Sequence, residues 1–548
     1  MKKFKRFTCI AAASLLLAAA LPLSACANND KELVLRVANW EEYIDLGGWD
    51  EDERIEIYNE FAADGEEGVI GVNSMVDDFT EWFNSEGDYG FTIKVEYSTF
   101  GTNEDLYNRL NLGDKYDLVC PSDYLIMKLL SEDKLAPYSE DFLNAEIDGN
   151  FYAQYASSYI NGKHDSETDV EGIFEKNGWS DYAACYMWGT TGIVYNPGEI
   201  ENAKDVSSWT ILQNPTYSRR VTIKDNVRDS YFPALGILNK KELLSGEITP
   251  ERRHELLNAT DKQTVDKAEQ ILKSIKENVY SFETDSGKAD MITGKVAANY
   301  QWSGDSVYIM DEAENDKNNP TELWYSVPDE CTNLWFDGWV MLKDGIDGNE
   351  QKQIAAEAFV NFLSRPDNAI RNMYYIGYTS SIAGDMVFDY LDYNYGAVFD
   401  AEDDYFDEEV TEICEYDLSY FFGGDDYVLL IDASQLEIDV DNAESYEAKL
   451  GEEYGNEILY TVYSVSDISR GRQAFAQYPP QSVIDRSVIM VDFGDRLSDI
   501  NQMWINVRCH FDPAVVWTTA AIIVVIAAAI VLYKCRYLIF YRNSKDNE

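Results

Sequence analysis

From Leu33 to about residue 380 the chain alternates short apolar runs with stretches of helical periodicity, and that alternation restricts it to the α/β class. The predicted strands are Leu33 to Ala38, Thr92 to Tyr97, Asp117 to Cys120, Gly192 to Tyr195, Arg220 to Ile223, Ala297 to Gln301 and Gly338 to Leu342. The segment "QIAAEAFVNFLS" reads as an amphipathic helix: Ile354, Ala355, Ala358, Phe359, Phe362 and Leu363 recur at helical spacing, and Pro366 stops it. Two acidic stretches, Gly47 to Gly90 and Asp385 to Tyr460, read as insertions. The second is rich in Tyr and Phe, which argues for a folded elaboration rather than disorder.

A chain of 548 residues has room for two or three domains, and both of its ends carry membrane signals. "MKKFKRF" followed by "TCIAAASLLLAAALPL" reads as a secretory signal over residues 1–25. Its end, "LSAC", resembles a bacterial lipobox, which makes Cys26 the lipidated first residue of the mature protein and residues 26–32 a polar tether. Ala514 to Tyr533 carries no charge and has the length of a membrane helix, with Trp517 and Tyr533 as interfacial anchors. Lys534, Arg536, Arg542 and Lys545 follow it, so the positive-inside rule puts the 534–548 tail in the cytoplasm and residues 27–512 outside.

The formal net charge of −55 repels nucleic acid and attracts cations. Cys120, Cys185, Cys331, Cys414 and Cys509 are widely spaced, lack any C-x-x-C pairing, and read as buried apolar residues with at most one or two bridges. His164, His254 and His510 are the only histidines, and none stands at metal-ligand spacing. There is no G-x-S-x-G, no P-loop and no G-x-G-x-x-G, so neither metal nor cofactor is expected. The enzymatic alternative is a carboxylate-based surface hydrolase, because Asp and Glu are abundant.

What recurs is an aromatic residue beside a carboxylate near the end of a strand. "NWEEY" closes the first strand, "CPSDY" follows "YDLV", and "KDNVRD" follows "RVTI". "YQWSGDS" supplies Trp302 and Asp305, "LWFDGW" supplies Trp335 and Asp337, and "IGY" supplies Tyr378. In open α/β sheets ligands bind beyond the carboxyl ends of strands. Ring faces attract cations and carboxylates pair with ammonium groups, so such a slot suits a flexible chain of methylenes carrying several ammonium groups. Taken singly, a Trp in a strand is usually core and an Asp after one a cap. The ordered recurrence points to an extracellular binding protein and leaves the ligand open.

The succession "NWEEYI", "YDLVCPSDYLI", "YMWGTTGIVYNP", "SWTILQNPTY", "IKDNVRDSYFPALG", "YQWSGDS", "LWFDGWVML", "FVNFLSRPDNA", "YIGYTSS" resembles the spermidine/putrescine-binding proteins of polyamine ABC transporters over about residues 33 to 382. The resemblance implies a type II, two-lobed periplasmic-binding-protein fold that clamps its ligand between lobes and performs no catalysis. Lobe 1 would comprise residues 33–140 and 333–380. Lobe 2 would comprise 141–332 and 381–505, with the acidic insertion 385–460. The implied partners are a polyamine, the permease and ATPase subunits of an ABC importer, and a membrane. Carried over position by position, the resemblance assigns ligand contact to Trp40, Glu41, Tyr43, Ser122, Tyr124, Asn226, Asp229, Trp302, Trp335, Asp337 and Tyr378. Asn226 stands where spermidine binders often have Asp, and Glu41 where they often have Thr. Three separated acids, Glu41, Asp337 and Asp229, lean the reading toward spermidine, while Asn226 pulls toward putrescine. The alternative within binding proteins is another small cationic or amino-acid-like ligand. A membrane-helix sensor is disfavoured by the short tail.

Overall fold

The computed structural model describes residues 32–62, 68–167, 178–317, 319–395, 413–422, 461–465, 469–510 and 513–545. Its centre is a twelve-stranded mixed sheet. The strands are β1 (Leu33–Trp40), β2 (Ile93–Phe100), β3 (Leu118–Val119), β4 (Leu135–Ala136), β5 (Ala183–Tyr195), β6 (Val221–Lys224), β7 (Ser281–Glu283), β8 (Ala298–Trp302), β9 (Trp324–Ser326), β10 (Thr332–Leu342) and β11 (Thr379–Ser380), with β14 (Ser487–Val488) late in the chain. A separate antiparallel pair joins β12 (Ile413–Asp417) to β13 (Thr461–Val465). The main path runs β2-β1-β3-β10-β5-β8-β6-β7. β1 is parallel to β2 and β3, and β6 to β7 and β8. Between these parallel groups, β10 and β5 run antiparallel to each other and to the strands they flank.

Every predicted strand has a counterpart, but two are much longer than predicted. Gly192 to Tyr195 is only the end of β5, and Gly338 to Leu342 only the end of β10. Both strands are buried along their whole length, which erases the alternation by which a half-buried strand is recognised. They also cross between cores. Ala183 to Trp188 and Leu334 to Leu342 line the first core, whereas Ile193 and Tyr195 of β5 line the second. The result is two lobes joined by an antiparallel pair of strands.

Several boundaries differ from the sequence expectation. Phe142, Tyr152 and Trp179 pack in the first core, although the bounds implied by the resemblance put them in lobe 2. So do Met386, Tyr390 and Phe421. The Gly47 to Gly90 stretch is no surface appendage, because Trp49, Ile55, Val69, Met75, Phe79 and Phe83 are buried in that core. Pro366 follows the helix Glu350–Leu363 as expected, and also opens the next helix, Pro366–Ile376, at a position where its missing N–H costs nothing. Cys120, Cys185 and Cys331 are buried and free. The signal, Cys26 and most of the 385–460 elaboration lie outside the described residues.

Among the described residues no helix is long and apolar enough to cross a membrane. The helix Pro513–Lys545 contains the stretch expected to span at 514–533. The membrane span expected at 514–533 is thus not found among the described residues.

Candidate functional site

The site is organised around one carboxylate at the lobe junction. Asp337 lies in β10 where its register with β5 shifts between Asp337 and Gly338, an irregularity of the kind that re-aims a side chain. Two hydroxyls from the first lobe hold it. Ser122 Oγ donates to Asp337 Oδ1 at 2.6 Å, and Tyr43 OH donates to Oδ2 at 2.8 Å. Ser122 precedes the helix Asp123–Ser131, and its own N–H is taken by Asn103 Oδ1 at 3.1 Å. Tyr43 is fixed through its carbonyl, which accepts from Tyr186 OH at 2.8 Å and from Asn39 Nδ2 at 3.2 Å.

Asp337 is 7 % exposed. Burial pushes its pKa up to about 6, against the pull of Ser122 and Tyr43, and Asp229 adds repulsion from the other lobe. Both hydrogen-bond partners are neutral. Above pH 6 the site thus holds a desolvated negative charge whose complement is a cation.

Rings close around that charge. Tyr43 meets Tyr378 edge-on at 5.1 Å, and Tyr378 meets Trp335 at 5.7 Å. Trp335 Nε1 donates to Thr190 O at 3.1 Å, which orients its ring. Tyr378 OH donates to Asp305 Oδ1 at 2.9 Å, and Lys288 Nζ stands 3.4 Å from the same oxygen. Gly304 gives Tyr378 its seat, since a Cβ there would fall 2.4 Å from the tyrosine Cγ. Gly304→Ala is therefore expected to displace the Tyr378 ring, at about 1–3 kcal/mol of overpacking, and to weaken ligand binding. Calorimetric titration and a urea melt check the two effects.

The second lobe presents the turn after β6. Asn226 caps the helix Val227–Leu243 by accepting from Asp229 N–H at 2.8 Å, and its Nδ2 donates to Asp229 Oδ2 at 2.6 Å. Burial raises the Asp229 pKa, with Asn226 and Lys224 opposing. Trp302 ends β8, and the Lys224 ammonium lies 3.9 Å from its ring centroid. Tyr124, from the first lobe, carries the Arg228 guanidinium at 3.9 Å over its ring and accepts from Asn103 Nδ2 at 2.7 Å. This stack joins the two lobes across the cleft.

Two expected residues, Glu41 and Trp40, stand outside the cluster. Glu41 is exposed and takes no part in the hydrogen bonds around Asp337. Glu42 is also exposed, in a left-handed turn with φ 55°. Its charge nevertheless reaches Lys288 of the second lobe, whose pKa is raised; burial opposes the rise, and Asp305, Asp285 and then Glu42 drive it. Trp40 packs on Phe100 at 4.8 Å, with its indole Nε1 buried and unpartnered.

Four functional candidates, Asp123, Lys224, Arg228 and Asp305, lie in motifs the sequence displays without being assigned a role by the resemblance, and a fifth, Lys288, lies outside those motifs. Lys224 and Arg228 are present in "KDNVRD", but a lysine or arginine beside acids reads as a surface ion pair until its burial is known. Asp123 is 2 % exposed; its Oδ1 accepts from Tyr124 N–H at 2.7 Å while Oδ2 is buried without a partner. Among the described residues no group of His, Cys, Asp and Glu is arranged to hold a metal.

Comparison with known proteins adds an independent line. The family model described as bacterial extracellular solute-binding protein matches residues 74–384. The spermidine/putrescine-binding periplasmic protein of Salmonella typhimurium is 28% identical over 291 residues, 52% of this chain and 70% of that protein. The putrescine-binding periplasmic protein PotF of Escherichia coli is 26% identical over 290 residues, 50% of this chain and 67% of that protein. Among solved structures, the TpPotD lipoprotein of Treponema pallidum superposes with a TM-score of 0.50 at 15% identity, covering 86% of this chain and 99% of that one, a likeness of fold alone. The two-lobed periplasmic-binding-protein fold with a mixed sheet is thereby established.

Proposed function

Because this chain belongs to the bacterial extracellular solute-binding protein family, whose members bind solutes rather than transform them, we propose that it captures polyamines outside the cell membrane and delivers them to the permease and ATPase of an ABC importer. One observation carries the proposal. A desolvated carboxylate, Asp337, is held by two neutral hydroxyls inside a cage of Tyr43, Tyr378 and Trp335. Such a site complements an ammonium group and its adjoining methylenes. Similarity to relatives named for spermidine and putrescine supports the ligand class. Ligand would close the lobes by binding the closed state better than the open one. Titration calorimetry of the purified protein should show saturable heat with putrescine or spermidine and none with 1,4-butanediol. Binding of the neutral diol instead would refute a cation site.

The proposal includes attachment to the membrane. It is supported by the charge-free sequence from Ala514 to Tyr533 and by the exposure of Ile523, Val525, Ile530 and Leu532 on the C-terminal helix. Apolar side chains exposed in such number need a cover, and lipid is one. Lipid on Cys26 would supply a second anchor. Protease added to intact cells should remove the acidic domain and spare the basic tail; a tail cut from outside would reverse the orientation. Unchanged processing of Cys26→Ala would dismiss the lipid anchor.

A further inference from the structure

The second-lobe wall of the cleft already contains cations of its own. Lys224 closes β6 and is fully buried. Its Nζ lies 3.9 Å from the Trp302 ring centroid, donates to Thr284 O at 2.9 Å and stands 3.7 Å from Glu283 Oε1. Arg228, four residues on, rests over Tyr124 at 3.9 Å and over Phe493 at 4.1 Å. Lys288 stands 3.4 Å from Asp305. The acids on this side, Glu283, Asp229 and Asp305, thus face three basic groups and are balanced from within.

The first-lobe side differs. Among the described residues Asp337 accepts from Ser122 and Tyr43, both neutral, and no basic side chain pairs with it. Uncompensated negative charge is therefore concentrated at the Asp337 end, and internal positive charge at the Trp302 end. An indole that already holds one ammonium is a poor partner for another. A second cation meets Coulomb repulsion from the buried Lys224 ammonium, and in a buried site unit charges several ångströms apart interact strongly.

Resting on the polyamine reading above, we infer that Lys224 is a specificity-determining residue: a resident ammonium on Trp302 that takes the place a third ligand ammonium would need, so that the site selects a diamine over a triamine. This reverses the lean toward spermidine drawn from counting Glu41, Asp337 and Asp229. Glu41 is exposed outside the cluster, and Asp229 already has Lys224 and Arg228 for company.

The full chain in detergent, titrated with putrescine, spermidine and 1,4-butanediol, tests the inference. The wild type should bind putrescine at least about tenfold more tightly than spermidine. Lys224→Met, which keeps the stem and removes the charge, should narrow that ratio about tenfold, chiefly by improving spermidine. A purely packing role for Lys224 would weaken both ligands alike and leave the ratio unchanged. Glu283 would be left buried without its lysine, so Lys224→Met/Glu283→Gln removes both charges if the single variant does not fold. Spermidine binding as tight as putrescine in the wild type overturns the inference without any variant. An unchanged ratio in a folded variant overturns it equally. Absence of heat with either amine would instead refute the polyamine reading, and this inference with it.

Discussion

Asp337→Asn is expected to weaken polyamine binding at pH 7.5 by roughly 30-fold or more. Truncating the charge of one partner in a buried, hydrogen-bonded ion pair costs about 2–5 kcal/mol. The substitution keeps the shape and one acceptor oxygen, and the hydroxyl that meets the new amide nitrogen can turn to accept from it, so the loss reports chiefly the charge. The effect depends on pH. With the Asp337 pKa pushed up to about 6, most of its carboxyl is protonated at pH 5. Wild-type affinity should then fall as pH drops through 6, and the gap between wild type and variant should close. Calorimetry at pH 5 and 7.5 checks both. Equal affinity of the two proteins at pH 7.5 would make Asp337 a structural acceptor only.

The same variant should be the more stable protein when no ligand is present. An Asp with a folded pKa near 6 and an unfolded value near 3.8 binds more protons folded than unfolded between those limits. Its favourable contribution is present below about pH 4 and is lost as pH rises through 6. At about 1.4 kcal/mol per pKa unit, the penalty at neutral pH is of order 1–3 kcal/mol. Urea melts of ligand-free Asp337→Asn should show a gain of that order at pH 7.5 and almost none at pH 4. Stability and binding trade against each other at this residue, as expected where a charge is kept dry for a partner.

What the sequence reveals follows from how each feature is written in it. The alternating apolar start of β1, Leu33, Leu35 and Val37, and amphipathic helices such as Glu350–Leu363 advertise themselves by period. β5 and β10 do not, because burial on both faces removes the period, and so the strand pair joining the lobes is half invisible. Asp337, Tyr43 and Ser122 are legible as members of ordered motifs. Their convergence is not, since 294 residues separate Tyr43 from Asp337 and 215 separate Ser122 from it. Glu41 and Lys224 show the opposite failure. Both stand in site motifs, and only burial distinguishes the exposed acid from the enclosed cation.

Arg371→Met should produce the largest loss of stability, about 3–5 kcal/mol, because it strips the cation from a fully buried carboxylate. Asp45 lies two residues beyond Tyr43 and is completely enclosed. Arg371 Nε donates to Asp45 Oδ2, and its two other nitrogens donate to Asp78 Oδ2 at 2.6 Å and to Asn73 O. Trp49 Nε1 and Gly47 N–H satisfy Asp45 Oδ1 at 3.1 and 2.7 Å but carry no compensating charge. Burial already raises the Asp45 pKa while Arg371 pulls it down. Without the arginine it rises further, so the deficit should be greatest at neutral pH and shrink as pH falls and the carboxyl takes up its proton. The consequence reaches the ligand site. Asp45 N–H donates to Asn372 Oδ1 at 2.9 Å, which ties the Tyr43 loop to the helix Pro366–Ile376. That helix ends at Gly377 in a left-handed turn with φ 77°, directly before Tyr378. One buried network therefore sets Tyr43 and Tyr378 against each other at 5.1 Å. Polyamine affinity should fall with stability in Arg371→Met. Urea melts within about 0.5 kcal/mol of wild type at pH 7.5 would show that the network carries no such weight. A stability loss with affinity retained would show that the cage is aligned by ring packing alone.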